Sequence, residues 1–190
     1  MSATLALTGS LFSPAGGERH LSDLDLTWKA VSARFGDLLC DRPESTVVIA
    51  PPLRQVEIRI VIAGEAPPWF GAVAARISEI LDLPPNWDSY GGHEIDPDCI
   101  RAALWLLFRI MRDDTPAPSV VPTSTGSVQL EWHESGLDVE IEVVGPYRYE
   151  ALYANRHTGA EWERTIEFDL RVLSARVGEL SPQARSNAAS

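Results

Sequence analysis

Two stretches of the chain carry residues whose types and spacing could do chemistry. The first is LPPNWDSYGGHEIDP, Leu83 to Pro97, which gathers Asn86, Trp87, Asp88, Tyr90, His93 and Glu94 around a Gly91-Gly92 pair. Read as a site, Asp88, Tyr90, His93 and Glu94 are polar groups around an aromatic floor, with no reaction class indicated. The spacing matches no metal motif, no Ser/His/Asp order and no phosphate-type glycine loop. Read as structure, the stretch reverses the chain between two helices. Asn86 and Asp88 then hydrogen-bond local backbone groups, the glycines allow positive φ, and Trp87 and Tyr90 plug one end of the core. The structural reading is the expectation carried forward.

The second stretch is SVQLEWHESGLDVEIEV, from Ser127 to Val143. Val128, Leu130 and Trp132 alternate with Gln129, Glu131 and His133. Ser135-Gly136 suits a two-residue turn, and Val139, Ile141 and Val143 alternate with Asp138, Glu140 and Glu142. Such a hairpin sets Trp132 against Val139, Glu131 against Glu140, His133 against Asp138 and Gln129 against Glu142. One face is apolar; the other holds Glu131, His133, Asp138, Glu140 and Glu142. Like charges directly opposite each other cost stability, so this face needs water, an arginine or a metal ion. A solvated face partly neutralised by Arg148, Arg164 or Arg171 is the plain expectation. A divalent-metal site and an acidic docking face for a basic partner are the alternatives. No cofactor is implied and no metal site is assigned.

The elements that must position these residues follow from periodicity. The first twenty residues are weakly patterned, with one short strand suggested at Thr4–Leu7. Leu24, Trp28, Val31, Phe35 and Leu38 fall at helical spacing behind Ser22 and Asp25, an approximate capping box, and Arg42-Pro43 closes that helix. Val47 to Ile49 and the alternating run Val56 to Ile62 read as a strand pair broken by Pro51-Pro52, or as one strand with a bent entry. Phe70, Val73, Ile77 and Ile80 mark a helix between Pro67-Pro68 and Pro84-Pro85. Asp96 is a good N-cap, with Pro97 at the first position of a helix reaching Arg112.

That helix turns Ile100, Ala103, Leu104, Leu107 and Met111 inward. Trp105, Leu106 and Phe108 extend its apolar surface so far around that it is buried or an interface. Arg101, Trp105, Phe108 and Arg112 share one side and form the candidate interface. A proline-rich link, the hairpin, a third strand at YRYEALYA, a strand or loop at TIEFDL, and a last helix complete the order. Grouped strands with helices between them predict an α+β fold in which an antiparallel sheet, a C-terminal meander, packs against several helices. The expected organisation is a weakly structured 1–20, one domain over 21–180 with candidate lobes 21–82 and 83–180, and a disordered tail over 181–190.

Composition limits the function classes. A chain of 190 residues can bury a real core without staples. The net charge of −11 argues against direct nucleic-acid binding, because a binder must offset phosphate charge. A basic protein partner is easier to accommodate. Lys29 is the only lysine beside fifteen arginines. Cys40 and Cys99 match no ligand spacing or disulfide framework, as expected of a reduced, cytoplasmic protein. The N-terminal run has no basic n-region, so no signal peptide is expected, and no segment approaches the roughly 18 apolar residues of a membrane span.

Three segments together, LPPNWDSYGGHEIDPDCIRAAL, VVPTSTGSVQLEWH and GLDVEIEV, resemble a widespread family of small bacterial proteins with no established activity. The shared pattern is an NWD-x-YG turn, a helix, a P-x-P…G-x-x-x-LEW run and a short acidic strand, covering about Leu83 to Val144. Gly92 stands where many such proteins have Ala, read here as a small change. The resemblance carries over no catalytic residue. It implies a place near mobile elements or defence and toxin–antitoxin genes. The functional expectation is a non-enzymatic interaction module, antitoxin-like or defence-associated, binding a protein partner or a second copy. The alternative is an enzyme, a metal-dependent hydrolase using the hairpin acids.

Overall fold

The structure, a computed structural model, describes residues 5–11, 44–49 and 56–182. The helix expected over Ser22 to Leu38 and the tail from 183 onward lie outside the described residues. The chain divides into two compact units at Ala66/Pro67, so the helix after Pro67 belongs with the second unit and not with a lobe 21–82.

The first unit holds a three-stranded antiparallel sheet of β1 (Leu5–Leu11), β2 (Glu44–Ile49) and β3 (Val56–Ala63), in the order β1-β3-β2. The run either side of Pro51-Pro52 is therefore a strand pair, with Val47 opposite Ile60. The β1 strand is longer than the short strand suggested at Thr4–Leu7, and part of the first twenty residues is thus ordered backbone. Pairing along all of β1 from Leu5↔Ile62 to Leu11↔Val56 supplies what weak patterning does not reveal. On β3 the β-branched alternation works as expected: Ile58, Ile60 and Ile62 are buried while Arg59 is exposed.

The second unit is α+β. Its five-stranded antiparallel meander runs β4 (Ser119–Pro122), β5 (Val128–Glu134), β6 (Leu137–Gly145), β7 (Arg148–Asn155) and β8 (Ala160–Ile166). Ser135 and Gly136 both take positive φ, which joins β5 to β6 with the twist strands prefer. All the predicted cross-strand pairs are present, Trp132↔Val139 and Glu131↔Glu140 among them. Inward residues Val128, Leu130, Trp132, Val139, Ile141, Val143, Tyr149 and Tyr153 are buried.

Three helices cover that inner face. In α1 (Phe70–Leu81) the predicted stripe Phe70, Val73, Ile77 and Ile80 is buried, and the helix packs on β4. In α2 (Pro97–Ile110) the Asp96 carboxylate accepts the Asp98 amide at 2.8 Å, a true N-cap followed by Pro97. The α2 helix lies between strands β5 and β6 on one side and α3 (Arg171–Gly178) on the other. That double cover explains why Leu104, Leu106 and Leu107 are all buried although they point around the axis. The helix stops at Ile110, before the expected Arg112. Met111 is extended and only half-buried, and the Arg112 amide donates to the Thr115 hydroxyl instead of continuing the helix. Ser181 is buried against the Thr115 hydroxyl at 3.0 Å, so the expected tail starts too early. No helix among the described residues is long and apolar enough to cross a membrane.

Candidate functional site

The turn from Leu83 to Asp96 is built by its own polar side chains. Asn86 and Ser89 sit at φ of 60° and 64°, left-handed backbone that only local hydrogen bonding makes tolerable outside glycine. The Asp88 carboxylate accepts the amides of Tyr90 and Gly92, each at 2.8 Å, and the Asn86 side-chain oxygen accepts the Gly91 amide at 2.7 Å. The Asn86 amide donates to the Gly92 carbonyl, and the Trp87 indole to the His93 carbonyl at 3.1 Å. The donated amides of Tyr90 and Gly92 hold the Asp88 carboxyl below its usual range.

This geometry corrects one expectation and divides another. Tyr90 does not plug the core: its ring is 94% exposed. Trp87 is half-buried and is fixed through its indole, while His93 and Glu94 are exposed. The six candidate residues of the loop therefore do not converge on one point. Asn86, Trp87 and Asp88 face the backbone of their own turn, and Tyr90 is what the turn presents. Nor is alanine at 92 a small change in this chain, since its Cβ would meet the tethered Asp88 carboxylate at 2.8 Å.

A second turn, residues 123–127 between β4 and β5, supports the first. The His93 amide donates to the Ser124 carbonyl, and the Asp96 amide to the Gly126 carbonyl at 2.8 Å. The two turns are so close that a Cβ at Gly126 would lie 2.7 Å from the Glu94 carbonyl oxygen, at a φ of +88° besides. The hydroxyls of Thr123, Thr125 and Ser127 bond one another, and Ser127 donates to Glu142. Beside them opens a cleft of about 480 Å³ lined in part by Asp96, Cys99, Ser127, Glu142, Arg148 and Glu150. Burial, with Asp96, Asp98 and Glu142 nearby, pushes the Cys99 thiol up to about 11, so this sulfur is a poor nucleophile.

The hairpin acids are in register but are already engaged. His133 Nδ1 lies 3.0 Å from Asp138 and Nε2 lies 3.6 Å from Glu131. Asp138 also accepts from Arg156 at 3.0 Å, and Gln129 donates to Glu140 at 2.9 Å. The Asp138 contact raises the His133 pKa, and His133 with Arg156 lowers that of Asp138. Of the expected neutralisers, Arg148 stands beside the face, in the cleft that Glu142 also lines, while Arg164 and Arg171 are elsewhere. Arg148 faces Glu150, Arg171 grips Asp169, and Arg164 lies over the Trp162 ring. Arg156, two residues beyond the expected strand YRYEALYA, takes the place of those two because it leaves β7 beside the β5–β6 turn. Among the described residues no group of His, Cys, Asp and Glu is arranged to hold a metal ion.

The candidate interface on α2 is divided as well. Phe108 is half-buried against Trp69 at 5.0 Å and Phe70 at 5.7 Å between ring centroids. Arg101 pairs with Asp98, and Arg112 reaches toward Gly178 of α3. Trp105 instead begins an aromatic row at the surface. Its ring meets Tyr147 edge-on at 5.5 Å, and Tyr147 stacks on Phe168 at 5.8 Å. Arg109 lies over Trp105, and Phe168 is 80% exposed. Tyr147 holds a φ of 61° in the turn between β6 and β7. The sequence places Tyr147 at the start of the expected third strand and Phe168 in a strand or loop, and singles out neither as a surface residue; the structure starts β7 at Arg148 and leaves both aromatics in connections. No family model, curated protein or solved structure matches the chain.

Proposed function

We propose that this protein is a non-enzymatic interaction module that works by binding another protein surface. The row Trp105–Tyr147–Phe168 carries the reading. Three aromatic rings from three separate elements meet at the surface, the outermost is 80% exposed, and a cation caps the innermost. Aromatic residues with an arginine are the usual anchors of protein contacts, and an apolar patch left to water is a cost that contact removes. The antitoxin-like or defence-associated role implied by the sequence resemblance is a binding role of this kind. The hydrolase reading draws no support from the hairpin, whose acids are occupied by His133, Arg156, Gln129 and Ser127.

The test is a Trp105→Ser/Phe168→Ser variant compared with wild type by sedimentation velocity over a dilution series, alone and with proteins co-purified from the host. The variant should keep its circular dichroism and lose the association that wild type shows. A wild type that stays monomeric and carries no co-purifying protein, or a variant that associates as before, would sink the proposal.

A further inference from the structure

The meander has two edges, and they are closed to different degrees. Strand β4 is four residues long and ends in Pro122. Helix α1 packs on it, and the Arg76 side chain donates to the Val120 carbonyl at 3.1 Å. Strand β8 has seven residues and no proline, and its ladder to β7 runs without a bulge from Asn155↔Ala160 to Tyr149↔Ile166. It ends the strand order, so within the described residues its outer row of main-chain N–H and C=O groups has no ladder. Such a row is a template for another strand unless shortness, proline, a bulge, a cover or charge protects it. Among these, β8 relies on charge.

That charge is selective. The register sets Glu161 and Glu163 on the open face, in line with Asp138 and Glu140, and both are exposed. No ion pair engages either of them within the described residues. A cleft of about 340 Å³, lined by Glu150, Glu163, Arg164 and Thr165, opens at the strand. On the other face Trp162 is half-buried, stacked on Tyr153 at 5.7 Å with the Arg164 guanidinium over it at 5.2 Å. A second copy fits this edge poorly. Two-fold antiparallel pairing sets Glu161 on Glu163, Glu163 on itself or Arg164 on itself in the three central registers, and like charges directly opposite cost stability. The edge thus turns away an acidic strand, its own included, and leaves a basic one.

We infer that β8 docks an extended segment of a partner protein in which Lys or Arg alternates with apolar residues. The added strand pairs with the outer main chain of β8, which supplies affinity, while its alternate side chains supply specificity. Its cations stand opposite Glu161 and Glu163, and its apolar residues continue the side of Trp162. The inference goes beyond the aromatic row, because the contact is made through main-chain hydrogen bonds at an edge and not through packed rings.

The experiment titrates the full chain with an end-blocked peptide alternating Lys with Val. Its comparators are the N-methylated form, which keeps the side chains but has no main-chain donors, and a Glu–Val peptide. Calorimetry reads affinity and amide hydrogen exchange reads location. Wild type should bind the Lys–Val peptide at least about tenfold more tightly than either comparator. The protected amides should lie in β8. Glu161→Lys/Glu163→Lys, at two exposed positions, should melt like wild type and reverse the preference toward the Glu–Val peptide. Undetectable binding of the Lys–Val peptide, equal binding of its N-methylated form, protection elsewhere than in β8, or a preference that survives the charge reversal would each overturn the inference. Trp105→Ser/Phe168→Ser changes no residue of β8, so failure at one surface leaves the test of the other standing.

Discussion

The loop Leu83 to Asp96 and the hairpin β5–β6 are both rich in acids, yet they use them in opposite ways. In the hairpin, carboxylates meet other side chains: His133 and Arg156 on Asp138, Gln129 on Glu140, Ser127 on Glu142. In the loop, Asp88 and Asn86 turn back on the main chain and take its amides. The first arrangement neutralises a face. The second fixes a backbone and leaves the one large side chain at its tip, Tyr90, without work inside the fold. Acid content alone therefore does not distinguish a solvated face from a presented one; what the carboxylate is bonded to does.

The largest expected effect tests where the aromatic anchors of the two regions sit. Trp132 is buried on the inner face of β5 with its indole donating to the Pro116 carbonyl at 2.8 Å. Trp132→Ala should cost about 3–5 kcal/mol of stability in a denaturant titration. Trp87 is only half-buried, and Trp87→Ala should cost clearly less. Equal losses would mean that the loop is as deeply packed as the sheet, and the contrast would fall.

A smaller effect is expected from crowding within the loop. Gly92→Ala should destabilise by about 1–3 kcal/mol, the usual cost of overpacking, because the carboxylate it meets cannot swing away without giving up two amides. Thermal unfolding of Gly92→Ala with and without Asp88→Ala checks this. If the second change does not shrink the penalty of the first, the crowding is not with Asp88.

The smallest effects separate the regions by pH. The Asp88 pKa is lowered, so its contribution is complete above the ordinary carboxylate value and is lost as pH falls through the lowered folded value. The His133 pKa is raised, so its contribution is complete below its ordinary value of 6.5 and is lost as pH rises through the raised folded value. The melting-temperature gap between wild type and Asp88→Asn should thus be present at neutral pH and close in acid. The gap for His133→Gln should be present below the histidine range and close in alkali. A His133→Gln gap that persists in alkali would show that the contact does not depend on the imidazolium charge.

The same contrast explains what the sequence disclosed. The hairpin register could be read residue by residue, because strict alternation across Ser135-Gly136 leaves one pairing that buries Trp132 and Val139 together. The cores of α1 and α2 were legible for the same reason, through the period of Phe70 to Ile80 and the Asp96-Pro97 start. Where a segment serves no periodic face, the signal was lost. Strand β8, AEWERTI, is exposed at most positions and shows no alternation of burial. Strand β4 is an edge of four residues ending in Pro122, hidden in a proline-rich stretch. The placement of Tyr90 depends on two left-handed residues and two side-chain acceptors acting together, which no spacing rule encodes. The row through Tyr147 and Phe168 joins residues from separate connections and exists only once the chain is folded.

The meander has a kinetic consequence as well. Every ladder from β4 to β8 joins strands that are neighbours in the chain, so the sheet can grow by closing one short loop after another. The β5–β6 turn, with Ser135 and Gly136 already suited to it, is the natural first closure. Assembly of the loop that carries Tyr90 requires the β4–β5 turn to be in place, since its amides at His93 and Asp96 bond there. That loop is therefore completed only once the neighbouring β4–β5 turn has closed, one step later than the hairpin that orders it.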